Sequence, residues 1–452
     1  MDEVTRTGQV SRREVLKKGL LGAAGLTVLP TVLAACGNSS ATPTGAPGSL
    51  SGTVTLGSNY SDAVPKKAMA DMAAAFTKKT TVTVKVNTVD HGTFQNQITS
   101  YLGGKPEDVF TWFSGFRMRF FAAQNLAVAI DDVWASSLTA NYSAAFKTGS
   151  TGDDGHQYFV PIYNYPWAVF YRKSLFTEKG YTVPTTMDDF KTLCQKIQTD
   201  GLVPIAFADK DGWPAMGTFD ILNLRMNGYQ FHVDLMAGKE KWTDAKVIAV
   251  FNAWKDLMPY HQTGAAGRIW QDAAQALVKK QAAMYLLGMF VSQQFSAVDA
   301  ATLADLDFFP FPNLGTSFDA EKALDAPIDG FMIAAKSAAG QAGQDQTNAK
   351  AFVGFLGTGA AQDIYVAADP SNIAAAKDAN TSKYNALQQK AVQLISSAQK
   401  ITQFMDRDTR PDFATATGMQ NFILKFVSDP SQDLTAFTKT IQAFWDALPP
   451  AS

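Results

Sequence analysis

The segment TVTLGSNYSDAVPKKAMADMAAAFTKKTTVTVKVNTV, residues 53–89, decides the fold because its hydrophobic period changes twice. Residues 53–60 and 81–89 alternate apolar and polar side chains, as half-buried strands do, and the apolar side chains within 65–79 share one helical face. Residues 93–113 repeat the pattern with a second helix and a third strand. This β-α-β-α-β order predicts a parallel sheet with right-handed crossovers.

The ends of these three predicted strands carry aromatic and polar residues. Ligands of such sheets bind beyond the carboxyl ends of the strands, so we treat the residues there as candidates for ligand binding: Asn59, Tyr60, Asp90, His91, Trp112 and Phe113. Two alternatives stay open, since Trp112 fits core packing equally well and His91 fits a surface position before a helix. Ser61 or Asp62 is the expected N-cap of the first helix.

The body of the chain exceeds what one hydrophobic core usually serves. It has 452 residues, of which 46% are hydrophobic and 18% charged, a composition typical of folded domains in water. Strand patterns return at 305–312 and 326–337 after a long helical stretch, which predicts that the chain crosses between two lobes more than once. The predicted boundaries are 53–160 with 306–358 for the N-lobe and 161–305 with 359–452 for the C-lobe.

The N-terminal region predicts export followed by lipid anchoring. Paired arginines at 12–13 precede an apolar run that two glycines and a proline interrupt, which makes it a poor membrane span. The run resembles a twin-arginine signal peptide covering residues 1–35, with the general secretion route as the alternative. Leu33 to Cys36 resembles a bacterial lipobox, so Cys36 is the expected lipidated N-terminus of a flexible tether, 36–52, at the outer face of the cell membrane. The alternative is a buried cysteine in an ordinary helix.

Charge and motif content exclude several classes of function. Without residues 1–35, which hold five basic and three acidic residues, 34 basic face 38 acidic residues, so a nucleic-acid partner is not expected. Cys194 then has no disulfide partner and is expected to be buried, while the four histidines show no metal-ligand spacing. Asp188 and Asp189 follow Thr185 and Thr186, either of which fits the start of a helix, and the two carboxylates suit a helix N-terminus better than an acid-base pair. We expect no metal and no cofactor.

Four segments of the body carry a resemblance to a known family. They are YPWAVFYRKSLFTEKGYTVPTTMDDF (165–190), GWPAMGTFDILNLRMNGYQFHVDLMAGKEKWTD (212–244), AAMYLLGMF (282–290) and FMDRDTRPDF (404–413). In order and spacing they resemble the extracellular solute-binding proteins of carbohydrate ABC importers, the maltose-binding-protein-like group. The resemblance implies an α/β, two-lobed periplasmic-binding-protein type II fold, in which each lobe is a mainly parallel sheet flanked by helices and the ligand cleft lies between the lobes.

A sugar site requires flat aromatic surfaces together with charged and amide groups that bind hydroxyls. The expected aromatic platforms are Tyr60, Trp112, Phe113, Tyr163, Trp167 and Trp213. The expected hydrogen-bonding groups are Asn59, Asp90, His91, Asp220, Asp329, Arg407 and Asp408, and Gly288 is expected to let the backbone approach the ligand. Alternatives are that the aromatics fill the lobe interface, that Arg407 pairs with Asp406 or Asp408, and that Gly288 is a turn residue.

The resemblance implies that a ligand bridges the lobes and favours a closed form by hinge motion, and that this form docks on a membrane permease. We therefore predict a monomeric, non-enzymatic receptor of an ABC importer that carries a sugar, with an oligosaccharide as the first choice. The alternatives are a receptor for a different solute and an anchored glycoside hydrolase. The hydrolase needs two carboxylates about 5–10 Å apart, which the sequence does not exclude.

Overall fold

The computed structural model describes residues 50–449, so the predicted leader, Cys36 and most of the predicted tether lie outside the described residues. The strands are β1 Thr53–Ser58, β2 Thr83–Thr88, β3 Val109–Phe113, β4 Val160–Asn164, β5 Trp167–Arg172, β6 Val203–Ile205, β7 Ala282–Gly288, β8 Leu306–Phe309, β9 Ala323–Asp325, β10 Ile328–Ile333, β11 Ile373–Ala374 and β12 Lys400–Thr402.

The helices alternate with these strands and cover both sheets. They are α1 Ala63–Thr80, α2 His91–Gly103, α3 Phe116–Ala123, α4 Asp131–Val133, α5 Ala144–Gly149, α6 Lys173–Lys179, α7 Met187–Thr199, α8 Met216–Met236, α9 Ala245–Leu257, α10 Trp270–Val278, α11 Ser292–Ser296, α12 Ala300–Asp305, α13 Gln344–Leu356, α14 Gly359–Ala368, α15 Ala386–Ser397, α16 Met405–Asp408, α17 Met419–Ser428 and α18 Leu434–Asp446. Shorter helical turns include Trp134–Leu138 and Met289–Val291.

The first three strands, β1 to β3, belong to a six-stranded sheet. Its order is β11-β4-β10-β3-β1-β2, and β1 pairs in parallel with both β2 and β3, which confirms the predicted β-α-β-α-β unit. Helix α1 buries Met69, Met72 and Phe76 as predicted. The predicted cap is wrong in one respect: Asp62 occupies the N-cap position, but its side chain accepts no capping hydrogen bond and instead accepts one from Gln271.

A four-stranded sheet, β6-β7-β5-β8, and a two-stranded pair of β9 with β12 form the rest of the strand framework. Sheet membership differs from the predicted lobe boundaries at three strands. β8 pairs with β5 rather than joining the first sheet, while β4 and β11 belong to the first sheet. The physical reason is that side-chain alternation identifies a strand without identifying its partner, which here comes from a distant part of the chain.

Two local predictions on α7 are confirmed. Thr186 caps the helix by accepting a hydrogen bond from the backbone N–H of Asp189 at 3.2 Å, so Asp188 and Asp189 lie in the first helical turn. Cys194 is a free, buried thiol on the same helix, and burial raises its pKa to about 12.

Across residues 50–449, no helix has the length and hydropathy needed to cross a bilayer.

Candidate functional site

A cavity of about 160 Å³, the first cavity, lies where the two sheets meet. It is bounded by the carboxyl ends of β1 and β2, by β4 and by the amino end of antiparallel β10 on one side, and by the start of β5 and the turn after β7 on the other. Nine of the predicted residues line it: Asn59, Tyr60, Asp90, His91, Tyr163, Trp167, Trp213, Asp329 and Arg407.

One side of the cavity is the aromatic wall, formed by Trp167, Trp213, Trp270, Phe290 and Phe404. Trp167 stacks on Phe404 with ring centroids 4.7 Å apart and planes 10° apart, and Trp213 meets Phe404 edge-on. The three indoles surround Phe290 at centroid distances of 6.1, 5.9 and 5.0 Å. These rings offer flat apolar faces at several orientations.

The position of Trp167 is fixed by close packing against α8. A Cβ atom at Gly217 would overlap the six-membered part of the Trp167 ring, so only glycine allows the helix to approach this closely. The indole is 3% exposed, and its Nε1 has no hydrogen-bond partner among the described residues. The Trp167 ring is therefore held in place by its packing against Gly217, and its Nε1–H group is free to donate a hydrogen bond to a bound molecule.

The opposite side is the polar wall, formed by Asn59, His91, Asp329 and Arg407. The Arg407 guanidinium donates to Asp329 Oδ1 at 2.6 Å and lies 3.9 Å above the centroid of the Phe113 ring. Burial raises the pKa of Asp329 and is partly offset by Arg407. Burial alone would lower the pKa of Arg407, but Asp329 and Tyr165 raise it above its usual value. The guanidinium is thus a fixed positive charge.

The main partner of Arg407 differs from the alternatives that the sequence left open. Asp329, from β10, is its close partner, and Asp406 lies farther away, with Oδ1 at 3.6 Å from Arg407 Nε. Asp406 also pairs with Arg117 at 3.5 Å. Both arginines are therefore held within one buried ionic network behind the cavity.

His91 is the first residue of α2; it lines the cavity and is partly exposed. Its Nε2 is 2.7 Å from the amide Nε2 of Gln95, which can only donate, so the imidazole accepts there and carries its proton on Nδ1. Burial, reinforced by the nearby Arg407 charge, lowers the pKa of His91 to about 4. At neutral pH it is an uncharged group in the cavity wall.

Several polar atoms of the lining have no hydrogen-bond partner among residues 50–449. They are Asn59 Nδ2, Tyr60 Oη, Trp167 Nε1 and Gln271 Oε1, whereas Asp406 Oδ1 and Arg407 Nε face each other as an ion pair at 3.6 Å. A buried donor or acceptor that stays unmet costs about 1–3 kcal/mol. The cavity therefore suits an occupant that offers several donors and acceptors within a small volume.

Trp112 and Phe113 were predicted to face the ligand but lie outside the lining. Both belong to β3, which lies between β1 and β10 and is buried on both faces. Trp112 packs in the core with the Arg117 guanidinium 5.2 Å from its ring centroid. The Phe113 ring packs against the guanidinium of Arg407. Trp112 and Phe113 lie inside β3, which is buried along its length and ends at Phe113, whereas the strand-end rule applies to residues beyond the end of a strand.

Asp220, Asp408 and Gly288 also lie outside the lining. Asp220 accepts a hydrogen bond from the Met405 backbone N–H at 2.7 Å, and Asp408 accepts one from that of Gln403 at 2.8 Å, so both hold the turn that carries Arg407. A Cβ atom at Gly288 would overlap the Phe290 ring. These three residues position the lining instead of forming it.

The sequence analysis missed lining residues of two kinds. Tyr165 was detectable, because Tyr163, Tyr165 and Trp167 alternate along one segment and all three line the cavity. Phe404 and Asp406 belong to a segment already quoted for the resemblance. Other missed residues stand in no recognisable pattern: Asp211, Trp270, Gln271, Phe290, Gln293 and Asn372.

Residues 60–363 match the family described as bacterial extracellular solute-binding proteins. The chain belongs to this family, which confirms the predicted family and the α/β, two-lobed fold class. Within residues 50–449 no group of His, Cys, Asp or Glu side chains could hold a metal ion.

Three known proteins illustrate the similarity. The solved structure of the bacterial solute receptor AcbH, described as having an exclusive preference for β-D-galactopyranose, is 45% identical, with a TM-score of 0.83 over 87% of this chain and 98% of that one. An uncharacterized ABC transporter extracellular-binding protein of Pyrococcus horikoshii is 26% identical over 86% of each chain. The alpha-glucosides-binding periplasmic protein AglE of Rhizobium meliloti is 24% identical over 83% of each.

Proposed function

We propose that this chain captures a sugar in the first cavity and delivers it to the permease of an ABC importer. The observation that carries the proposal is the pairing of the aromatic wall with the polar wall across one small cavity. The relatives described as galactopyranose and alpha-glucoside binders, and the relative described as an ABC transporter binding protein, support the same assignment.

The two walls match the two chemical surfaces of a pyranose. The C–H groups of a sugar ring form an apolar face that stacks on indole and phenyl rings, here those of Trp167, Trp213 and Phe290. Each sugar hydroxyl both donates and accepts, so it satisfies Asn59 Nδ2 and Trp167 Nε1 as an acceptor. Hydrogen bonds to the charged Arg407 are stronger than those between neutral groups.

The size of the cavity favours a single sugar ring as the first candidate. A volume of about 160 Å³ has room for roughly ten to fifteen water-sized groups, near the roughly twelve non-hydrogen atoms of one hexopyranose. β-D-Galactopyranose is therefore the first sugar to test, with gluco-configured monosaccharides and the oligosaccharides predicted from the sequence as the next arms.

Thermal unfolding of the purified chain with a panel of sugars tests this function. A ligand at a hundred times its Kd adds about 2.7 kcal/mol to the free energy of unfolding, which raises Tm by a degree or more. We expect a shift with galactose and no release of sugar products, as for a receptor rather than an enzyme. The absence of a shift with every sugar would refute the sugar assignment, and product release would favour the hydrolase.

The proposal extends to the outer membrane face, where we place a monomer held by lipid on Cys36 after export by the twin-arginine route. Acyl chains contribute about 0.8 kcal/mol per buried CH2, so two chains suffice for anchoring. Cys36→Ser should release the protein into the medium, whereas Cys194→Ser, the matched control in the folded body, should leave it attached. Cys36→Ser protein that stays quantitatively on cells would contradict the anchor.

A further inference from the structure

A second cavity, of about 410 Å³, lies beside the first and shares only the wall residue Trp167 with it. It is enclosed by the loop before α7, the middle of α8, the segment 309–313 that follows β8, strand β9 and the end of α15. None of the roles assigned above involves this space.

Backbone hydrogen bonds and two prolines restrict the rim of the second cavity. The Asn313 backbone N–H donates to the Thr185 carbonyl at 3.0 Å, and the Met187 N–H donates to the Asn313 carbonyl at 2.9 Å. Pro310 and Pro312 restrict the backbone of the same segment. A cavity with such a rigid rim keeps its shape when empty.

Most of the lining is apolar and includes flat rings. Phe309, Phe311 and Trp167 contribute aromatic surface, and Ile221 and Leu224 contribute aliphatic surface from α8. Pockets of this kind bind the apolar body of a small molecule and use a few polar groups to orient it.

Asp325 is one such polar group. It lines the cavity, it is 1% exposed, and neither carboxyl oxygen has a partner among residues 50–449. Burial, with the nearby carboxyl of Asp220 as the next cause, raises the pKa of Asp325 well above its usual value. Burial therefore favours the protonated form of this carboxyl over its ionised form.

Arg225 is the second polar group. It is 9% exposed and lines the cavity, and within the described part of the chain its guanidinium makes no ion pair or hydrogen bond. Lys322 also lines the cavity, without an ion pair in the same range. The Asp319 carboxylate is already engaged by the backbone N–H groups of residues 314–316. The lining therefore holds two cations and one hydrogen-bonded carboxylate, and the charge of Asp319 partly offsets the lowering of the Arg225 pKa by burial.

We propose that the second cavity binds a small organic carboxylate with a flat apolar body. The carboxylate pairs with Arg225, whose planar guanidinium suits two parallel hydrogen bonds, and the body lies against Phe309, Phe311 and Trp167. The Asp325 carboxyl, which has no hydrogen-bond partner among residues 50–449, meets a polar atom of the ligand. Because Trp167 also faces the first cavity, an occupant of the second contacts a residue that both cavities share.

Benzoate and benzylamine test the proposal, since they share a ring and carry opposite charges. Isothermal titration of the full chain should show one benzoate bound and no benzylamine. Arg225→Gln should weaken benzoate binding at least about tenfold, because the lost hydrogen bonds are charge-assisted. Arg119→Gln, which removes a surface arginine paired with Asp153, should leave binding unchanged.

Two further variants locate the site and guard against misfolding of the Arg225 variant. Trp213→Ala alters only the first cavity and should leave benzoate affinity unchanged. Thr185→Trp, at an exposed rim position, should obstruct the second cavity and abolish binding. Binding of benzylamine instead of benzoate, binding of neither up to about 20 mM, full affinity in Thr185→Trp, or loss of benzoate in Trp213→Ala would each overturn the proposal.

Discussion

The polar wall and the aromatic wall of the first cavity differ in origin and in chemistry. The polar wall comes mainly from strand ends of the six-stranded sheet, with Arg407 added from α16, and its groups have fixed directions. The aromatic wall comes from the four-stranded sheet and from turns and helix starts, and its rings attract any apolar face regardless of hydroxyl pattern. Under the proposed function, the polar wall would select among sugars and the aromatic wall would supply affinity.

The largest effect is expected from breaking the polar wall at Arg407. Arg407→Met leaves Asp329 buried without its partner at 2.6 Å, which should lower the free energy of unfolding by about 3–5 kcal/mol and remove sugar binding. Urea unfolding and titration with galactose measure the two effects. The double variant Arg407→Met/Asp329→Asn should regain stability but not binding, and a single variant as stable as the parent would contradict the buried pair.

The next effect concerns Asp408, which accepts a hydrogen bond from the Gln403 N–H in the turn that carries Arg407. Burial raises its pKa to about 7, opposed by the Gln403 N–H and by the charges of Arg119 and Arg407, while Asp406 adds to the rise. An unfolded aspartate titrates near pH 4, so the folded chain binds more protons between about pH 4 and pH 7. The stabilisation from this group is therefore present at low pH and is lost as the pH rises through about 7.

Comparison with Asp408→Asn isolates that contribution, because the lowered pKa of His91 acts on stability in the opposite direction. From pH 8 to pH 5 the parent chain should gain up to about 2–3 kcal/mol relative to the variant. Chemical unfolding at each pH gives the difference, and a difference that does not change with pH would show that Asp408 titrates normally.

A smaller effect should separate the two walls by their selectivity. Trp213→Ala removes a partly exposed ring and should weaken all bound sugars about tenfold while leaving the galactose-to-glucose affinity ratio unchanged. Asn59→Asp keeps the acceptor that Thr111 uses and loses the unmet Nδ2 donor, so it should change that ratio. Titration of each variant with galactose and with glucose measures the affinity ratio. If both variants changed the galactose-to-glucose ratio by the same factor, the two walls would not differ in selectivity.

The smallest effect concerns a hydrogen bond between two other lining residues. Gln271 on α10 donates to Asp62, the residue before α1, at 3.2 Å. Gln271→Ala should raise the ligand dissociation rate a few-fold, about the value of one hydrogen bond. Gln275→Ala, one turn along the same helix and bonded to Gln294, is the matched control. Stopped-flow rates that are equal for both variants would count against a role in closure.

The same comparison shows which parts of the site were predictable. Asn59, Tyr60, Asp90 and His91 follow from one rule, the position of ligands at the carboxyl ends of parallel strands. The rule was wrong at Trp112 and Phe113, because β3 extends to Phe113 and both residues are buried within the strand rather than beyond its end. Local sequence identifies a strand but not its place within the sheet.

The aromatic wall was only partly accessible from sequence for a different reason. Phe290 and Trp270 lie at a turn and a helix start, where no periodic pattern distinguishes a ring that lines a cavity from one in the core. Their convergence depends on pairings between distant segments, such as β5 with β7. The order of elements was predictable in the first hundred residues, whereas the sheet assignment of β8 required tertiary pairing.

The burial of Cys194 has a practical consequence for measuring domain movement. Its thiol is buried, and a pKa of about 12 leaves almost no thiolate at pH 7. Thiol-reactive dyes should therefore not label Cys194. With Cys36 replaced by serine, a pair of cysteines introduced at exposed Lys66 and Asp188 would then be the sole labelled positions. The natural chain thus lends itself to single-molecule energy transfer without removal of its internal cysteine.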